Sequence, residues 1–501
     1  MLVCAAALRL GVPVKWVEDR KEHLLAANHS RDQVYRLRAA VDSRGYILGL
    51  DAEFTTDQGA YVRTHGGTVT DLAAGLLPGP YVIPAYRVAG HIRLTNKTPS
   101  GTYRAPGRYE STFARERLVD RIAAELGLDP VEVRRVNLVP AEAMPFHRGL
   151  DTLGTHVVYD SGLYHDLLDR TLAHVGHAQA RIDVAARRNA GEAVGLGLAF
   201  FVEKSGLGPK DLARIAIAPD GSVEIVTGVA SIGQGVETVL AQIASETLGI
   251  APERMRVIHG QTDRIEYGLG AFASRVTVMT GSAVKIASED VLARARPAAA
   301  ALLQADPAGL IFEKGSFVSA SGASASLADV ARHLGGPGLT GEGEFAADHM
   351  NYPYGIHVAQ VRVDRETGGV TVERYVVACD VGRAVNPMLV EGQIVGACAQ
   401  GIGGALLEEF VYDEGGQPLA ASLADYLMPT CHEMPPVEAF VREDAPSPQN
   451  PLGVKGAGEG GITAVGAAIA AAIDDALQSP GLVTRLPVSP SRLHALVAGL
   501  R

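Results

Sequence analysis

The stretch Gly453–Gly461 (GVKGAGEGG) places five glycines around one carboxylate, that of Glu459, and leads into the alanine-rich segment Ala464–Leu477. Glycine lets a backbone turn sharply or come close to another group, so this stretch predicts a loop that runs into a helix. A carboxylate in such a loop can approach a bound molecule without a bulky neighbour. Partial burial would raise its pKa towards that of a useful general base. An ordinary surface loop is the alternative.

The composition is that of a globular chain with more than one core. The chain has 501 residues, 47% of them hydrophobic and 20% charged, which is enough for two or more domains. The 57 glycines beside only 5% aromatic residues favour loops that hold a ligand. The net charge of −11 comes without any lysine or arginine tract, so nucleic acid is not an expected partner.

Cysteine spacing and apolar runs indicate a cytoplasmic location. The four cysteines are Cys4, Cys379, Cys398 and Cys431. None of them has the short spacing of a zinc or iron–sulfur ligand set, which favours reduced thiols. Met1–Leu8 lacks the basic leader of an export signal, and Ala464–Ile473 is too short to cross a bilayer. We therefore expect a cytoplasmic protein without a membrane span.

Alternating apolar residues around turn residues predict hairpins in both halves of the chain. The predicted hairpins pair Val34–Val41 with Tyr46–Phe54, Ile215–Ile217 with Val223–Val226, and Val358–Val363 with Val370–Val377. Leu2–Leu10 and Phe113–Leu126 have helical patterns, and Val12–Val17 has that of a short strand. The predicted class is α+β, with mixed sheets, mostly antiparallel hairpins, and helices packed against them.

A polar, motif-free stretch at Gln179–Gly195 predicts a domain boundary. The predicted domains are residues 1–180 and 195–480, followed by a tail at 481–501. A second, weaker join is expected near Gly335–Gly343.

Three further segments join glycine and a polar side chain to the start of a predicted helix. They are Pro99–Glu110, which contains Arg104, then Gly233-Gln234-Gly235, and Gly270–Arg275. Free amides at a helix start attract anions, and a glycine pair there can bring N–H groups to a phosphate or a ring edge. Alone, the first segment is equally well explained as an ordinary turn, the second is better explained as a loop with Gln234 as helix cap, and the third is a weak signal.

Taken together, the blocks resemble those of a known family in both their residues and their order along the chain. The matching blocks are Gly79-Pro80-Tyr81, Thr95–Pro99, Tyr103-Arg104, Gly233-Gln234-Gly235, Phe272–Arg275, Asp380-Val381-Gly382 with Asn386-Pro387, Glu391–Ile394, Ala399-Gln400-Gly401, Asp425-Tyr426 with Pro429, and Gly456–Glu459. They cover nearly the whole chain. The chain resembles the molybdopterin-binding subunit of the xanthine dehydrogenase, aldehyde oxidase and carbon monoxide dehydrogenase family.

The resemblance implies a molybdenum–molybdopterin cofactor without any amino-acid ligand to the metal. It implies hydroxylation of a carbon centre with water as the oxygen source, and electron transfer to an iron–sulfur subunit and an FAD subunit. Whether the cofactor is the cytosine dinucleotide form is left open by these residues. A non-catalytic remnant that only binds the cofactor is the alternative. A flavin or nucleotide dehydrogenase would need a Gly-x-Gly-x-x-Gly turn, and no convincing one is present.

The resemblance also carries roles over to individual residues. Glu459 takes the position of the general base, and Arg104 that of the active-site arginine. Positions expected to hold the pterin and its phosphate are Gly233, Gln234, Gly235, Ala273, Ser274, Arg275, Gln393, Lys455, Gly456 and Gly458. Side chains around Gly66–Leu77 and Arg104–Tyr109 are expected to shape the substrate pocket.

Two departures from the family pattern matter. The family's amino-terminal domain and a Gly-Gly-Phe-Gly block precede the point that matches Met1, so a separate amino-terminal chain or a truncated reading frame is expected. Carbon monoxide-oxidising members carry a copper-binding cysteine directly after the active-site arginine, where this chain has Ala105. This predicts a copper-free site acting on an aldehyde or an N-heterocycle.

Overall fold

A computed structural model describes residues 1–336 and 338–499 of the chain. The strands up to residue 180 are β1 (Gln33–Val41), β2 (Ile47–Asp57), β3 (Ala85–Arg93), β4 (Phe146–Thr152) and β5 (Thr155–Tyr159). The helices in and just beyond this part are α1 (Leu2–Leu10), α2 (Arg20–Ala26), α3 (Gly66–Leu76), α4 (Arg108–Leu126), α5 (Pro130–Asn137), α6 (Tyr164–Val175) and α7 (His177–Asn189). Strand β2 pairs antiparallel with β1 and parallel with β3, and β4 pairs with β5.

Beyond α7, the described residues form two four-stranded sheets and a small three-stranded one. The strands of this part are β6 (Val194–Val202), β7 (Lys210–Ile217), β8 (Val223–Thr227), β9 (Met255–Ile258), β10 (Ile311–Glu313), β11 (Ser316–Val318), β12 (Ser324–Ser326), β13 (Leu339–Ala346), β14 (Tyr354–Val363), β15 (Val370–Asp380) and β16 (Val437–Arg442). The helices of this part are α8 (Val236–Leu248), α9 (Gly281–Leu303), α10 (Leu327–Leu334), α11 (Pro387–Leu406), α12 (Gly460–Thr463), α13 (Val465–Leu477) and α14 (Pro490–Ala498). The strand orders are β16-β15-β14-β6, β13-β7-β8-β9 and β10-β11-β12.

All three predicted hairpins are present as β1–β2, β7–β8 and β14–β15, and the α+β class is confirmed. The prediction of a strand at Val12–Val17 is wrong. No strand among the described residues pairs with that segment, and Val12, Trp16 and Val17 are exposed. An apolar run becomes a strand only where a partner edge is available.

Helix α4 begins five residues before the predicted start at Phe113, because its first turn is polar and yet buried. Apolar periodicity cannot detect such a turn. Its N-cap is Gly107, with φ 73°, and a Cβ there would lie 2.4 Å from the carbonyl oxygen of Val69 in α3. Glycine therefore lets the start of α4 lie directly against α3.

The division into residues 1–180, 195–480 and 481–501 stays a prediction. The stretch Gln179–Gly195 forms the greater part of α7 and the start of β6. The weaker join at Gly335–Gly343 includes Pro337, which lies outside the described residues, and β13 begins two residues later. In the predicted tail, Leu493 and Val497 of α14 are buried in the main core, while residues 500–501 are not described.

Small residues bring the helices unusually close to the two large sheets. A Cβ at Gly197 of β6 would lie 2.1 Å from the carbonyl oxygen of Ala468 in α13. A Cβ at Gly343 of β13 would lie equally close, 2.1 Å, to the carbonyl oxygen of Ala283 in α9. Glycine on the strand and alanine on the helix thus allow direct backbone contact, which explains the alanine-rich run after the glycine loop.

Within the described residues, the segment Gly460–Leu477 is long and apolar enough to cross a membrane, but 89% of it is buried inside the protein. It comprises α12 and α13, and α13 packs against β6 and β14. A core helix of this kind passes the same test of length and composition as a membrane span.

Candidate active site

Glu459 lies at the end of the glycine loop, immediately before α12, and its side chain is buried. Its Oε1 accepts hydrogen bonds from the backbone N–H of Ala105 at 2.9 Å and from Nη2 of Arg108 at 2.8 Å. Its Oε2 accepts one from the hydroxyl of Ser274 at 2.9 Å. Three donors from two segments that are distant in the sequence therefore converge on this one carboxylate.

Glycine and strained backbone together make this convergence possible. A Cβ at Gly456 would lie 2.4 Å from the carbonyl oxygen of Ser274, so a larger residue would push the two loops apart. Ala105, Ala273 and Ser274 all adopt left-handed backbone conformations, with φ of 57°, 47° and 49°. Non-glycine residues rarely adopt such angles, and those that do are concentrated at functional sites.

The pKa of Glu459 is shifted in the direction opposite to the one expected. Burial alone would raise it, but the Arg108 guanidinium, the Ala105 N–H and the Ser274 hydroxyl together hold the Glu459 pKa below its ordinary value. The expectation of a raised pKa is therefore wrong, because it considered burial and not the three donors. Glu459 is ionised at neutral pH.

Glu203 of this cluster was missed from the sequence, and Arg108 lay within the stretch Arg104–Tyr109 expected to shape the substrate pocket but was given no role of its own. Nη2 of Arg108 donates to Oε1 of Glu203 at 2.7 Å as well as to Glu459, and both residues are buried. Burial, together with the negative charge of Glu459, raises the Glu203 pKa well above its ordinary value. A lone carboxylate directly after the apolar strand β6 was the signal available in the sequence.

Arg104 joins the glycine loop to α11. Its Nε donates to the carbonyl oxygen of Gly458 at 2.6 Å, its Nη1 to Oε1 of Gln400 at 3.0 Å, and its Nη2 to Oε1 of Gln393 at 3.0 Å. Gln393 and Gln400 are seven residues apart and so share one face of α11. The predicted residues Arg104, Gln393 and Gly458 thus lie together, and Gln400 is an additional member.

The side chains of Arg275 and Lys455, both predicted to hold a cofactor, are engaged within the protein. The Arg275 guanidinium is buried, donates to the carbonyl oxygen of Leu207 at 2.6 Å, and forms an ion pair with Asp211 at 3.0 Å. Lys455 Nζ donates to the carbonyl oxygen of Ser161 at 3.0 Å. These two cations therefore link their loops to segments elsewhere in the chain, and their role in holding a cofactor stays a prediction.

Gly233-Gln234-Gly235 form a loop that begins α8 and touches the start of α11. A Cβ at Gly235 would lie 2.8 Å from the Leu389 side chain, whereas a Cβ at Gly233 would meet nothing within 4 Å. Oε1 of Gln234 accepts from the N–H of Ile232 at 2.7 Å. Nε2 of Gln234 is buried and has no hydrogen-bond partner among the described residues. A buried donor without a partner calls for an explanation, and a polar ligand would supply the missing acceptor.

The glycine loop is supported from the sheet by His357 on β14. Nε2 of His357 lies 3.0 Å from the carbonyl oxygen of Gly460, and Nδ1 lies 2.9 Å from the Tyr375 hydroxyl. Burial lowers the His357 pKa to about 4. The imidazole is therefore neutral at neutral pH and fixes the residue that follows Glu459.

We expect His357 to make the folded protein less stable as the pH falls from about 6.5 to about 4. Its pKa is lower in the folded than in the unfolded chain, so acidification protonates the unfolded chain first. The advantage of the parent over His357→Gln should shrink by about 2 kcal/mol between pH 6.5 and 5. Unfolding free energies at several pH values measure this, with the exposed His156→Gln as control. An advantage that stays constant with pH would contradict it.

Comparison with known proteins identifies the family. The sequence model of the molybdopterin cofactor-binding domain matches residues 170–435, more than half of the chain, and a second model of the same description matches residues 1–138. The chain belongs to the molybdopterin cofactor-binding family. The resemblance drawn from the sequence blocks is thereby confirmed.

Individual members of the family differ in the substrates that their names state. The chain is 44% identical, over 99% of its length, to the gamma subunit of the 6-hydroxypseudooxynicotine dehydrogenase complex of Paenarthrobacter nicotinovorans, of which it covers 64%. It is 35% identical, over 91% of its length, to the carbon monoxide dehydrogenase large chain of Hydrogenophaga pseudoflava, of which it covers 60%. The crystal structure of quinoline 2-oxidoreductase from Pseudomonas putida 86 superposes with a TM-score of 0.92 at 33% identity, covering 99% of this chain and 66% of that one. The chain thus spans somewhat less than two thirds of these molybdopterin-family proteins.

Proposed function

We propose that this chain is the catalytic part of a molybdenum hydroxylase that oxidises a carbon atom of an N-heterocycle or an aldehyde. In this reaction water supplies the oxygen, and two electrons and two protons leave the substrate and water. The observation that carries the proposal is the buried, ionised Glu459, which is held by Ala105, Arg108 and Ser274. A mere cofactor-binding remnant would have no need for an oriented base there.

The described residues fit a molybdopterin cofactor. The free Nε2 of Gln234 and the open space at Gly233 would receive a polar edge of the cofactor. Gln393 would add amide N–H donors, since its Oε1 is already used by Arg104. When bound, the cofactor supplies the redox centre that takes two electrons from the substrate carbon.

Within this site Glu459 would accept a proton at Oε2. Oε1 already accepts two hydrogen bonds, from Ala105 and Arg108, whereas Oε2 accepts one, from Ser274. A lone pair on Oε2 therefore stays available. Because its pKa lies below the ordinary value, the carboxylate is ionised and ready for proton transfer at neutral pH. Arg104 would add positive charge nearby and anchor the loop through Gly458.

The substrate class rests on Ala105 and on the relatives. Ala105 is buried directly after Arg104, and a methyl group cannot bind copper. Quinoline, in the name of one solved relative, is an N-heterocycle. The carbon monoxide dehydrogenase relative represents the competing class. The alanine favours heterocycle or aldehyde hydroxylation without copper.

The electrons must leave through partner subunits. In the part of the chain that the structure describes, all four cysteines are free, and two of them are buried in the core. One relative is named as a subunit of a complex. We therefore propose an iron–sulfur subunit as the electron acceptor, with an FAD subunit beyond it.

The proposal is tested by producing the chain together with the products of its neighbouring genes and measuring molybdenum, pterin and copper. We expect molybdenum and pterin in equal amounts, no copper, and reduction of the complex by quinoline-type heterocycles or aldehydes. Copper-dependent oxidation of carbon monoxide would overturn the substrate class. A complex that contains the cofactor but is reduced by none of these compounds would favour the cofactor-binding alternative.

A further inference from the structure

One nitrogen of Arg108 serves two carboxylates in the protein interior. Nη2 lies 2.7 Å from Oε1 of Glu203 and 2.8 Å from Oε1 of Glu459. The side chains of Arg108, Glu203 and Glu459 are 1%, 0% and 9% exposed. The cluster is therefore almost without solvent to screen its charges.

Charge balance indicates that one of the two glutamates in this cluster is protonated. With both glutamates ionised, the three side chains would carry a buried net charge of −1, which is costly. Like-charged carboxylates that share one partner do not both ionise readily. One proton makes the cluster neutral.

The proton belongs on Glu203 because Glu459 is much better supplied with donors. Glu459 accepts from a backbone N–H, a guanidinium and a hydroxyl. Glu203 accepts from Arg108, and its Oε2 has no partner among the described residues. Burial, followed by the charge of Glu459, raises the Glu203 pKa, whereas Arg108, the Ala105 N–H and the Ser274 hydroxyl outweigh burial and lower the Glu459 pKa.

We propose that Glu203 is a positioning residue that keeps a proton at neutral pH and, through Arg108, holds the Glu459 carboxylate ionised and in place. Its effect on turnover rests on the proposed function of Glu459. The protonation of Glu203 does not rest on the proposed function, because it follows from the charges and contacts of the cluster.

Several other ionisable groups surround Glu203 and have to be separated from it in any pH titration. Glu203 is close enough to influence the charges of Arg104 and Cys379 as well as those of Arg108 and Glu459. Lys204 follows directly in the chain, and burial lowers its pKa to about 8. A pH effect belongs to Glu203 only if it disappears when Glu203 alone is made non-ionisable.

The protonation state is measured by infrared spectroscopy at pH 7 on the full chain in its natural assembly, with ¹³C-labelled glutamate. We expect a carboxylic acid C=O band that is lost in Glu203→Gln. It should persist in Glu373→Gln, whose parent carboxylate accepts from Arg187 and has a lowered pKa. A spectrum in which Glu203→Gln removes no carboxylic acid band would overturn the proposal, whether or not the enzyme turns over.

The positioning role is measured by kcat across pH in the assembled enzyme. Gln imitates protonated glutamate, so Glu203→Gln should keep kcat at pH 7 within about threefold. It should also lose the change in kcat that ionisation of Glu203 causes at alkaline pH. Any change in kcat caused by Lys204 should persist. Glu203→Ala removes the acceptor for Arg108 and should lower kcat at least about tenfold, in the range of a lost charged hydrogen bond. Equal losses in Glu203→Gln and Glu203→Ala would show that Glu203 is an ionised partner and would refute the proposal.

Discussion

Replacing Glu459 by Gln is expected to lower the rate of enzyme reduction by substrate about 100- to 10,000-fold, the usual contribution of a general base. Gln keeps the shape of the side chain, and its single amide oxygen can still accept from Ala105 at the Oε1 position. Its NH2 group then takes the Oε2 position beside the Ser274 hydroxyl, where it can donate but cannot take up a proton. The proposed cofactor-binding residues Gln234 and Gln393 are not changed, so molybdenum content should stay the same. Rapid-mixing measurement of the reductive half-reaction, normalised to molybdenum, gives the result.

A matched control for this variant is Glu438→Gln. Glu438 is a half-exposed carboxylate on β16 that pairs with Arg374, outside the candidate active site. We expect its reduction rate to equal that of the parent. If Glu459→Gln reduces as fast as this control at equal molybdenum content, Glu459 is not the base.

The sequence could predict the parts of the site that depend on neighbouring residues. The glycines of the Gly453–Gly461 loop and the small residues of the helix after it indicate close backbone approach, and the structure has that approach at Gly456 and Gly197. The hairpins likewise follow from alternation over a few residues. The family resemblance then placed Arg104, Ser274 and Gln393 near Glu459, where the structure has them.

What the sequence could not predict depends on contacts across hundreds of residues. Glu203 and Glu459 are far apart in the chain, and only the folded structure brings both to Arg108. The sign of the Glu459 pKa shift follows from that contact, so a local reading that saw only burial obtained the wrong sign.

Adjacent residues in a loop also make different contacts, which a match between sequence blocks cannot predict. Ser274 donates to Glu459, whereas its neighbour Arg275 pairs with Asp211. Lys455 likewise contacts Ser161, although Gly456 beside it lies against Ser274. A matching block therefore identifies a segment, and the backbone angles determine which of its side chains reach the site.

Arg108→Met is expected to destabilise the protein by about 3–5 kcal/mol, because removing one member of a buried ion pair leaves the other charge without a partner. At roughly 2 cal/mol/K per residue for the entropy of unfolding, a chain of this length should lose about 3–5 °C in Tm. The pKa of Glu459 should rise, since the guanidinium that lowers it is gone. The fall in kcat on the acid side of its pH profile, the acid limb, should therefore move to higher pH.

Arg135→Met is the matched control for this prediction. Arg135 also pairs with two carboxylates, those of Glu132 and Asp169, but its side chain is 28% exposed and both partners are largely exposed to solvent. Solvent screens such pairs, so the loss should be below about 1 kcal/mol, and the acid limb of kcat should not move. Scanning calorimetry gives Tm, and pH profiles give the pH dependence of kcat, for both variants. The comparison separates the effect of burying an ion pair from the effect of forming one. If Arg108→Met matched Arg135→Met in Tm and in its acid limb, Arg108 would not be what keeps Glu459 ionised.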